Sequence, residues 1–388
     1  MENFDEKTCL CALNRIFGFE PKIALALVTH LGSAQAVFNL SAEDMETITG
    51  PFWKYKGRIC REALEKEAAE LESLSSRGIT FCGWSEDDYP ALLRECDDPP
   101  LGIYIRSETP LQELWKPDRR ISIVGTRDIS PYGREWTERI VDALGKTMER
   151  PVIVSGLALG TDITAHLAAL RAGLPTIGVM ATGPEAVYPY RHRETAETIV
   201  RTPGCALITD YPPHTAPLAI HFIRRNRLIA ALSQATILIE SKIKGGGMAT
   251  CRLASSYNRD IHALPGRVDD VRSMGCNDLI RRKIAEPITS LETLIDSLDM
   301  KGVCAKGRTG VEATLRSTYS GRLSEEKVER MAKILKVIKS ERGISVEDLA
   351  VRTGYDIKTT TELTGMLEID GIITIDLLKR CSINYKIL

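Results

Sequence analysis

The residues from Ile121 to His166 read ISIVGTRDISPYGREWTERIVDALGKTMERPVIVSGLALGTDITAH, and they contain one pattern twice. In each copy a short run of branched apolar residues ends at a small residue and leads through a turn into an amphipathic segment. The two runs, Ile121–Val124 and Pro151–Val154, are typical of buried strands in a parallel sheet. Ser130 is placed to cap a helix from about Pro131 to Met148. The stretch therefore predicts two consecutive strand–turn–helix units.

The same alternation of strand and helix patterns continues to about residue 298. Helical spacing predicts helices at about His192–Thr202, Phe222–Leu232 and Met248–Asn258. Apolar runs predict a strand at the edge of the sheet, Ile79–Cys82, and further strands at Thr176–Met180, Ala206–Thr209, Ala235–Glu240 and Ile261–Leu264. Strands that alternate with helices in this way predict an α/β fold with a doubly wound, mostly parallel sheet.

Smaller regions flank this core of residues 77–298. Residues 1–76 have helical spacing, with a long helix from Lys54 to Ser75, and resemble a helix-hairpin-helix or SAM-like module. Such a module either presents backbone amides to a DNA phosphate or serves only for packing. The polar residues 299–322 predict a linker, and residues 323–388 predict three helices and a β-hairpin, the order of a winged helix. Acidic residues outnumber basic ones on its expected recognition helix. This charge balance favours contact with a protein over binding in a DNA groove.

The composition limits the classes of partner. The 388 residues carry a formal net charge of −1, so any nucleic-acid site must be a local basic patch. The polar, acidic amino terminus does not resemble a signal peptide, and no apolar run reaches membrane-spanning length. The 10 cysteines are scattered and lack zinc-site spacing. We therefore expect reduced thiols, a cytoplasmic location, and neither a membrane segment nor a bound metal.

Small residues at the ends of the predicted strands indicate a binding site. In an open α/β sheet, ligands bind beyond the carboxyl ends of the strands, where small residues let backbone amides approach a phosphate. Gly125, Ser155 and Gly156 lie at such ends, and Arg127 can add a guanidinium fork. The alternative is that the glycines only form tight turns. Neither turn has a dinucleotide or P-loop motif.

A basic segment from Ile220 to Arg227 is the second candidate, because it combines Phe222 and Asn226 with three arginines at the start of a predicted helix, Arg224, Arg225 and Arg227. Arginines bind phosphates and an aromatic ring stacks on an unpaired base, a combination suited to single strands bound without sequence reading. The alternative is that these arginines lie on the surface and bind no partner. A glycine turn that opens the next helix is a third candidate anion site and includes Lys244, Gly246, Gly247 and Thr250.

No catalytic group of residues is evident. Ser155, Asp162 and His166 lie on one short turn without a nucleophile elbow, so capping and packing explain them. Metal ligands at useful spacing are absent from the sequence. We therefore expect a protein that is not an enzyme and that needs no cofactor.

Several separated motifs, in this order, resemble the DNA-processing protein A family, also called the DprA or Smf family. They are Tyr89-Pro90 with Asp98-Pro99-Pro100, Ile123-Val-Gly-Thr-Arg127, Val154-Ser-Gly-Leu-Ala158 with Gly160 and Asp162, Tyr188-Pro189, Phe222-x-x-Arg225-Asn-Arg227, and Pro265-Gly266 with Gly275-Cys-Asn277. The resemblance implies an extended Rossmann-like core that binds single-stranded DNA, forms a homodimer and has no enzymatic activity. It also implies loading of the RecA recombinase and a role in recombination and natural transformation (competence).

Transferred by motif, the family's DNA pocket falls on Gly125, Thr126, Arg127, Ser155, Gly156, Phe222, Arg225, Asn226 and Arg227, with the turn from Gly245 to Thr250 nearby. This chain departs from the family pattern in places. Residues 216–221 contain no lysine, Gly245-Gly-Gly stands where a Ser-Gly pair is more usual, and His192 replaces a common Asn.

A nucleotide-binding or nucleoside-monophosphate-cleaving enzyme of a related Rossmann-like family is the rival interpretation, since Gly246–Thr250 partly matches its Gly-Gly-x-Gly-Thr turn. Here Ala249 replaces a glycine of that turn and no glutamate follows within the next helix.

Overall fold

The computed structural model describes residues 4–50, 53–55, 57–300, 315, 319, 323–341, 343–376 and 379–383. Contacts divide the chain into two compact units, Met1–Val303 and Cys304–Leu388. The predicted helical module and the predicted core thus lie in one unit. Most of the predicted linker, residues 301–314, 316–318 and 320–322, lies outside the described residues.

The first unit is built on a nine-stranded sheet. Its strands are β1 (Ile79–Gly83), β2 (Gly102–Arg106), β3 (Arg120–Val124), β4 (Val152–Ser155), β5 (Thr176–Val179), β6 (Ala206–Thr209), β7 (Ala235–Leu238), β8 (Asp260–Ala263) and β9 (Glu286–Pro287). The order across the sheet is β1-β2-β6-β5-β4-β3-β7-β8-β9. The pairs β1–β2 and β2–β6 are antiparallel and the other pairs are parallel. The predicted mostly parallel sheet and the edge position of β1 are confirmed.

The helices that connect these strands are α6 (Ala91–Arg94), α7 (Leu111–Leu114), α8 (Pro131–Gly145), α9 (Thr161–Arg171), α10 (Arg193–Arg201), α11 (Ala219–Ala231), α12 (Gly246–Ser256) and α13 (Met274–Arg281), and α14 (Leu291–Ser297) follows β9. As predicted, Ser130 caps α8, and its side chain accepts a hydrogen bond from the Gly133 amide. From β3 the chain moves outward through β4, β5 and β6, and α11 then returns it to β7 on the other side of β3. The β3–β7 boundary is therefore the topological switch point, where ligands bind in such sheets.

Both faces of the parallel strands are buried, which makes this core an extended Rossmann-like, doubly wound sheet. Ile121, Ile123 and Ile153 contribute to one apolar cluster, whereas Val152 and Val154 contribute to another. Successive side chains of a strand point to opposite faces, so two helical layers are needed to cover these runs.

The helical region before the sheet consists of α1 (Glu6–Phe17), α2 (Pro21–Leu31), α3 (Ala34–Asn39), α4 (Ala42–Thr49) and α5 (Arg61–Ser76). The predicted start of the long helix at Lys54 is wrong, because α5 begins at Arg61. Lys54 and Tyr55 lie in a turn, and Gly57 has a positive φ of 80°, which a right-handed helix does not allow. The helices pack on β1 and β2 through a cluster that includes Phe81 and Tyr104.

In the second unit the structure describes α15 (Glu325–Ser340), α16 (Val346–Thr353) and α17 (Ile357–Ile369). Its small antiparallel sheet has the order β10-β12-β11, where β10 is Ile344–Ser345, β11 is Ile373–Ile375 and β12 is Arg380–Ile383. β11 and β12 lie where the sequence predicts a β-hairpin, whereas the short β10 was not predicted. Together they bury one apolar cluster of their own.

Candidate functional site

A cleft of about 520 Å³ opens at the switch point of the sheet. The loops after β3 and β7 and the start of α11 line it. Nine residues predicted from the sequence lie on its wall: Gly125, Thr126, Arg127, Phe222, Arg225, Asn226, Gly246, Gly247 and Thr250. The three candidate segments, which are distant in the sequence, therefore meet at one place.

The glycines of the cleft differ in how much space surrounds the position of a Cβ atom. A Cβ atom on Gly125 would lie 2.4 Å from the Thr161 hydroxyl oxygen, and one on Gly247 would lie 2.6 Å from Cδ1 of Leu238. At these two positions the strand ends and the start of α12 pack too closely for a side chain. Gly246 is exposed, and a Cβ atom there would meet no atom within 4 Å. Close packing thus accounts for glycine at positions 125 and 247, whereas Gly246 leaves backbone open to the cleft.

The first turn of α12 adds positive potential to this wall. The helix begins at Gly246, after Gly245, and no side chain caps its amides. Amides of a first helical turn lack partners within the helix, and the helix dipole places partial positive charge there. The turn can therefore attract an anion without any charged side chain.

Arg127 and two aromatic rings lie at the mouth of the cleft. The guanidinium carbon of Arg127 lies 5.2 Å from the centroid of the Phe222 ring, and this ring lies 5.3 Å from the ring of Tyr188 at an angle of 58°. Arg127 and Tyr188 are exposed, and Phe222 is half-buried. Among the described residues, Arg127 takes part in no ion pair. Its charge thus remains available to a ligand, next to rings on which a base can stack.

A carboxylate positions the loop that carries Arg127. Glu240, which is 1 % exposed, lies two residues after the end of β7, and its Oε2 accepts a hydrogen bond of 2.9 Å from the Ser130 amide. The Ser130 hydroxyl donates to the other oxygen of the same carboxylate. These bonds tie the start of α8 to the segment after β7 and so fix the carboxyl end of the loop from Gly125 to Ile129.

Arg225 is a fixed charge beneath the cleft. It is 3 % exposed, and its Nη1 donates to the carbonyl oxygens of Gly156, at 2.6 Å, and Val179. Burial lowers the pKa of Arg225 to about 10, although the neighbouring Asp162 opposes this shift. Burial likewise raises the pKa of Asp162, and Arg225 opposes that shift. Arg225 therefore combines a structural role with a positive charge that lines the cleft.

The structure places Arg227, which the sequence predicts to bind DNA, away from the cleft wall. Its guanidinium forms a buried ion pair with Asp210 and donates to the Asp98 carbonyl oxygen at 2.5 Å. Burial favours a lower pKa for Arg227, but Asp210 and Asp98 outweigh it and raise the pKa above its usual value. Arg227 does not line the cleft and is already neutralised, so its role in this structure is to join α11 to the core.

Four other predicted residues also lie off the cleft wall. Ser155 is buried and its hydroxyl donates to the Ile123 carbonyl oxygen at 2.7 Å. Gly156 is buried and contacts Arg225, while Lys244 is exposed outside the wall. Arg224 stacks on Phe19, away from the cleft. Lys242 and Tyr188, by contrast, line the cleft but were not among the predicted site residues.

The fold and the cleft define a class of protein: a doubly wound α/β protein with a basic, aromatic-edged cleft at its switch point. A sequence model of one family, DNA recombination-mediator protein A, matches residues 80–299, more than half of the chain. The chain belongs to this family, and the resemblance inferred from its motifs is confirmed.

Relatives with similar sequences support the assignment. The chain is 36 % identical over 228 residues to protein Smf of Synechocystis, covering 59 % of this chain and 56 % of that protein's length. It is 29 % identical over 304 residues to DNA processing protein DprA of Bacillus subtilis, covering 76 % of this chain and 95 % of that protein. No helix in the part of the chain that the structure describes is long and apolar enough to cross a membrane.

Two solved structures of the family are similar to this one. The X-ray structure of DprA from Streptococcus pneumoniae gives a TM-score of 0.59 at 27 % identity and covers 78 % of this chain and 99 % of that one. DNA processing protein A from Helicobacter pylori gives 0.51 at 29 % identity and covers 57 % and 97 %. The latter structure was described for its mode of binding single-stranded DNA.

Proposed function

We propose that this chain binds single-stranded DNA in the cleft at the switch point and mediates recombination. The observation that carries the proposal is the position of the exposed Arg127 guanidinium against the Phe222 ring, at the edge of a wall of glycine turns. The same cleft thus offers a phosphate contact and a surface for an unpaired base. The single-stranded DNA bound by the Helicobacter pylori relative supports this choice of ligand.

The charge distribution also supports a local phosphate site. The whole chain carries a formal charge of −1, so general attraction to DNA is weak. In the cleft, however, Arg127 and Lys242 are exposed, Arg225 is fixed below them, and the first turn of α12 faces the same space. These groups contact phosphates and do not form a pattern of hydrogen bonds that would select one base. We therefore propose binding that does not depend on the base sequence.

The cellular role that we propose is the one implied by the resemblance to the family. We propose that the chain acts in the cytoplasm as a homodimer that assembles through its core, loads the RecA recombinase onto single strands, and serves recombination and natural transformation. We also propose that the second unit is a winged helix that contacts a protein. Its helix α17 carries Glu362 and Glu368 against Lys358, and this balance repels a phosphate backbone. We also propose that this protein binds DNA without cleaving any bond.

The test is a binding comparison between a single strand and the corresponding duplex, measured by fluorescence anisotropy over a range of salt concentrations. We expect the single strand to bind more tightly. We expect Phe222→Ala to weaken that binding by about tenfold, because a base stacked on an aromatic side chain contributes about 1–3 kcal/mol. Equal affinity for the two forms, together with an unchanged Phe222→Ala variant, would refute the proposal. Release of free base from nucleoside monophosphates would instead support the enzymatic alternative.

A further inference from the structure

A contact outside the cleft joins α11 to the helical region that precedes the sheet. Phe19, which follows α1, is 49 % exposed, and the guanidinium carbon of Arg224 lies 4.0 Å from the centroid of its ring. An Nη2 hydrogen bond from Arg224 to the Phe19 carbonyl oxygen holds the side chain in this position. The two residues, called here the Phe19–Arg224 pair, form a stacked cation and aromatic ring at the surface.

The positive charge of this pair has no acidic partner among the described residues. The nearby Glu20 instead pairs with Lys54 and accepts a hydrogen bond from Tyr55. Phe19 also lies near the His221 ring, 5.8 Å away, which in turn lies 4.5 Å from the ring of Tyr211. An arginine in a purely structural role usually finds a carboxylate or several carbonyl groups, as Arg225 and Arg227 do here.

An exposed strip connects the cleft to the Phe19–Arg224 pair. Successive residues of an α-helix are about 100° apart, because one turn contains about 3.6 residues. On α11, Phe222 and Ile223 line the cleft, and Ile220 and then Arg224 follow around the same helix. Ile223 and Ile220 are 58 % and 49 % exposed. The surface therefore continues without a carboxylate of α11 from the cleft to the pair, since this helix has no acidic residue.

We propose that a single strand that leaves the cleft crosses this strip and stacks a base on the Phe19–Arg224 pair. The proposal rests on the proposed function, and it makes the helical region a second contact point on the DNA. Guanidinium planes and aromatic rings stack on any base, and the apolar strip between them tolerates base and sugar surfaces. The hydrogen bond to the Phe19 carbonyl oxygen holds the guanidinium in advance, so little side-chain freedom is lost when a base binds.

Oligonucleotide length provides the test, because a short strand fills only the cleft and a longer one also reaches the pair. We expect Phe19→Ala and Arg224→Gln to leave the affinity for the shortest oligothymidylate that binds unchanged. We expect both variants to weaken a longer oligothymidylate by about tenfold, as for the loss of one stacked base. Ile48→Ala is the matched control, since Ile48 is an exposed apolar residue of α4 in the same helical region.

The outcomes separate this inference from the proposed function. If Arg127→Gln weakens strands of every length while Phe19→Ala and Arg224→Gln change none, the second contact point is refuted and the cleft remains. If Phe19→Ala weakens short and long strands equally and lowers the thermal unfolding midpoint, Phe19 only supports the fold and the inference is also refuted. If Arg127→Gln itself has no effect at any length, the proposed function fails.

Discussion

Arg127→Gln is the sharpest test of the cleft, because it removes one charge and keeps a polar side chain of similar length. The guanidinium is exposed and takes part in no ion pair among the described residues, so its removal leaves no buried group without a partner. The fold should therefore be unaffected. Any change in DNA binding then reports the contact itself.

The size of the effect follows from one lost phosphate contact. A hydrogen bond to a charged group contributes about 2 kcal/mol, so the single strand should bind about 30-fold more weakly at about 50 mM salt. The slope of log K against log salt should become shallower by about 0.7, the value for one phosphate on a single strand. Between about 50 and about 200 mM salt, that slope change reduces the difference by about 2.6-fold, to about tenfold.

The assay is fluorescence anisotropy of a labelled single strand at several salt concentrations. Arg171→Gln is the control for net charge, since it removes one positive charge, here from a surface ion pair with Glu138. Arg171 ends the 11-residue helix α9, which starts beside the cleft, so it lies about 16 Å away along the helix axis. A variant at Arg127 that keeps the wild-type slope would show that this side chain binds no phosphate, however much the affinity changes.

Three further predictions concern the framework of the cleft. Arg225→Ala should lower the free energy of unfolding by about 3 kcal/mol, measured by urea denaturation, because the Gly156 and Val179 carbonyl groups lose a buried donor; an unchanged stability would contradict this. Gly247→Ala should cost about 1–3 kcal/mol through its clash with Leu238, whereas Gly246→Ala, whose methyl group meets nothing, should leave the unfolding midpoint unchanged. Burial lowers the pKa of His166 to about 3, so its stabilising effect is complete above about pH 6.5 and is lost as the pH falls towards 3. In His166→Gln the free energy of unfolding should therefore fall less steeply with decreasing pH in that window, by up to about 1.4 kcal/mol per pH unit. A stability curve parallel to that of the wild type would refute the lowered pKa of His166.

The elements around the cleft could be predicted because their signals are local. The apolar runs of β3 and β4 and the cap at Ser130 each depend on neighbours within a few residues. A strand is harder to predict when its signal is weak. The sequence Gly102–Arg106 follows two prolines and was not assigned, yet it forms β2, pairs with β1 and β6, and is almost fully buried.

The roles of the three arginines on α11 could not be predicted from their clustering. Residues in such close succession point in different directions around a helix, so one basic segment serves several purposes. Arg227 turns towards Asp210, 17 positions away, and towards Asp98, 129 positions away. Arg224 turns towards Phe19, 205 positions away, and only Arg225 reaches the cleft. Lys242 and Tyr188 are not among the predicted DNA-binding residues, because the reach of a loop residue depends on the tertiary structure.

The positively charged side chains and the aromatic rings of the cleft have different roles, and these roles explain how a chain of nearly neutral charge can select an unpaired strand. Arg225 is held by carbonyl groups, so its positive potential is present before a ligand arrives and requires no side-chain ordering. Arg127 and Lys242 are exposed and exchange water for phosphate at little cost. These charges alone would also attract a duplex. The rings of Phe222 and Tyr188 at the mouth favour a strand whose base faces are accessible, and in a duplex these faces are already stacked on neighbouring bases. Selectivity should therefore reside in the rings and salt dependence in Arg127, so that Phe222→Ala lowers the preference for single strands while the salt slope remains that of the wild type.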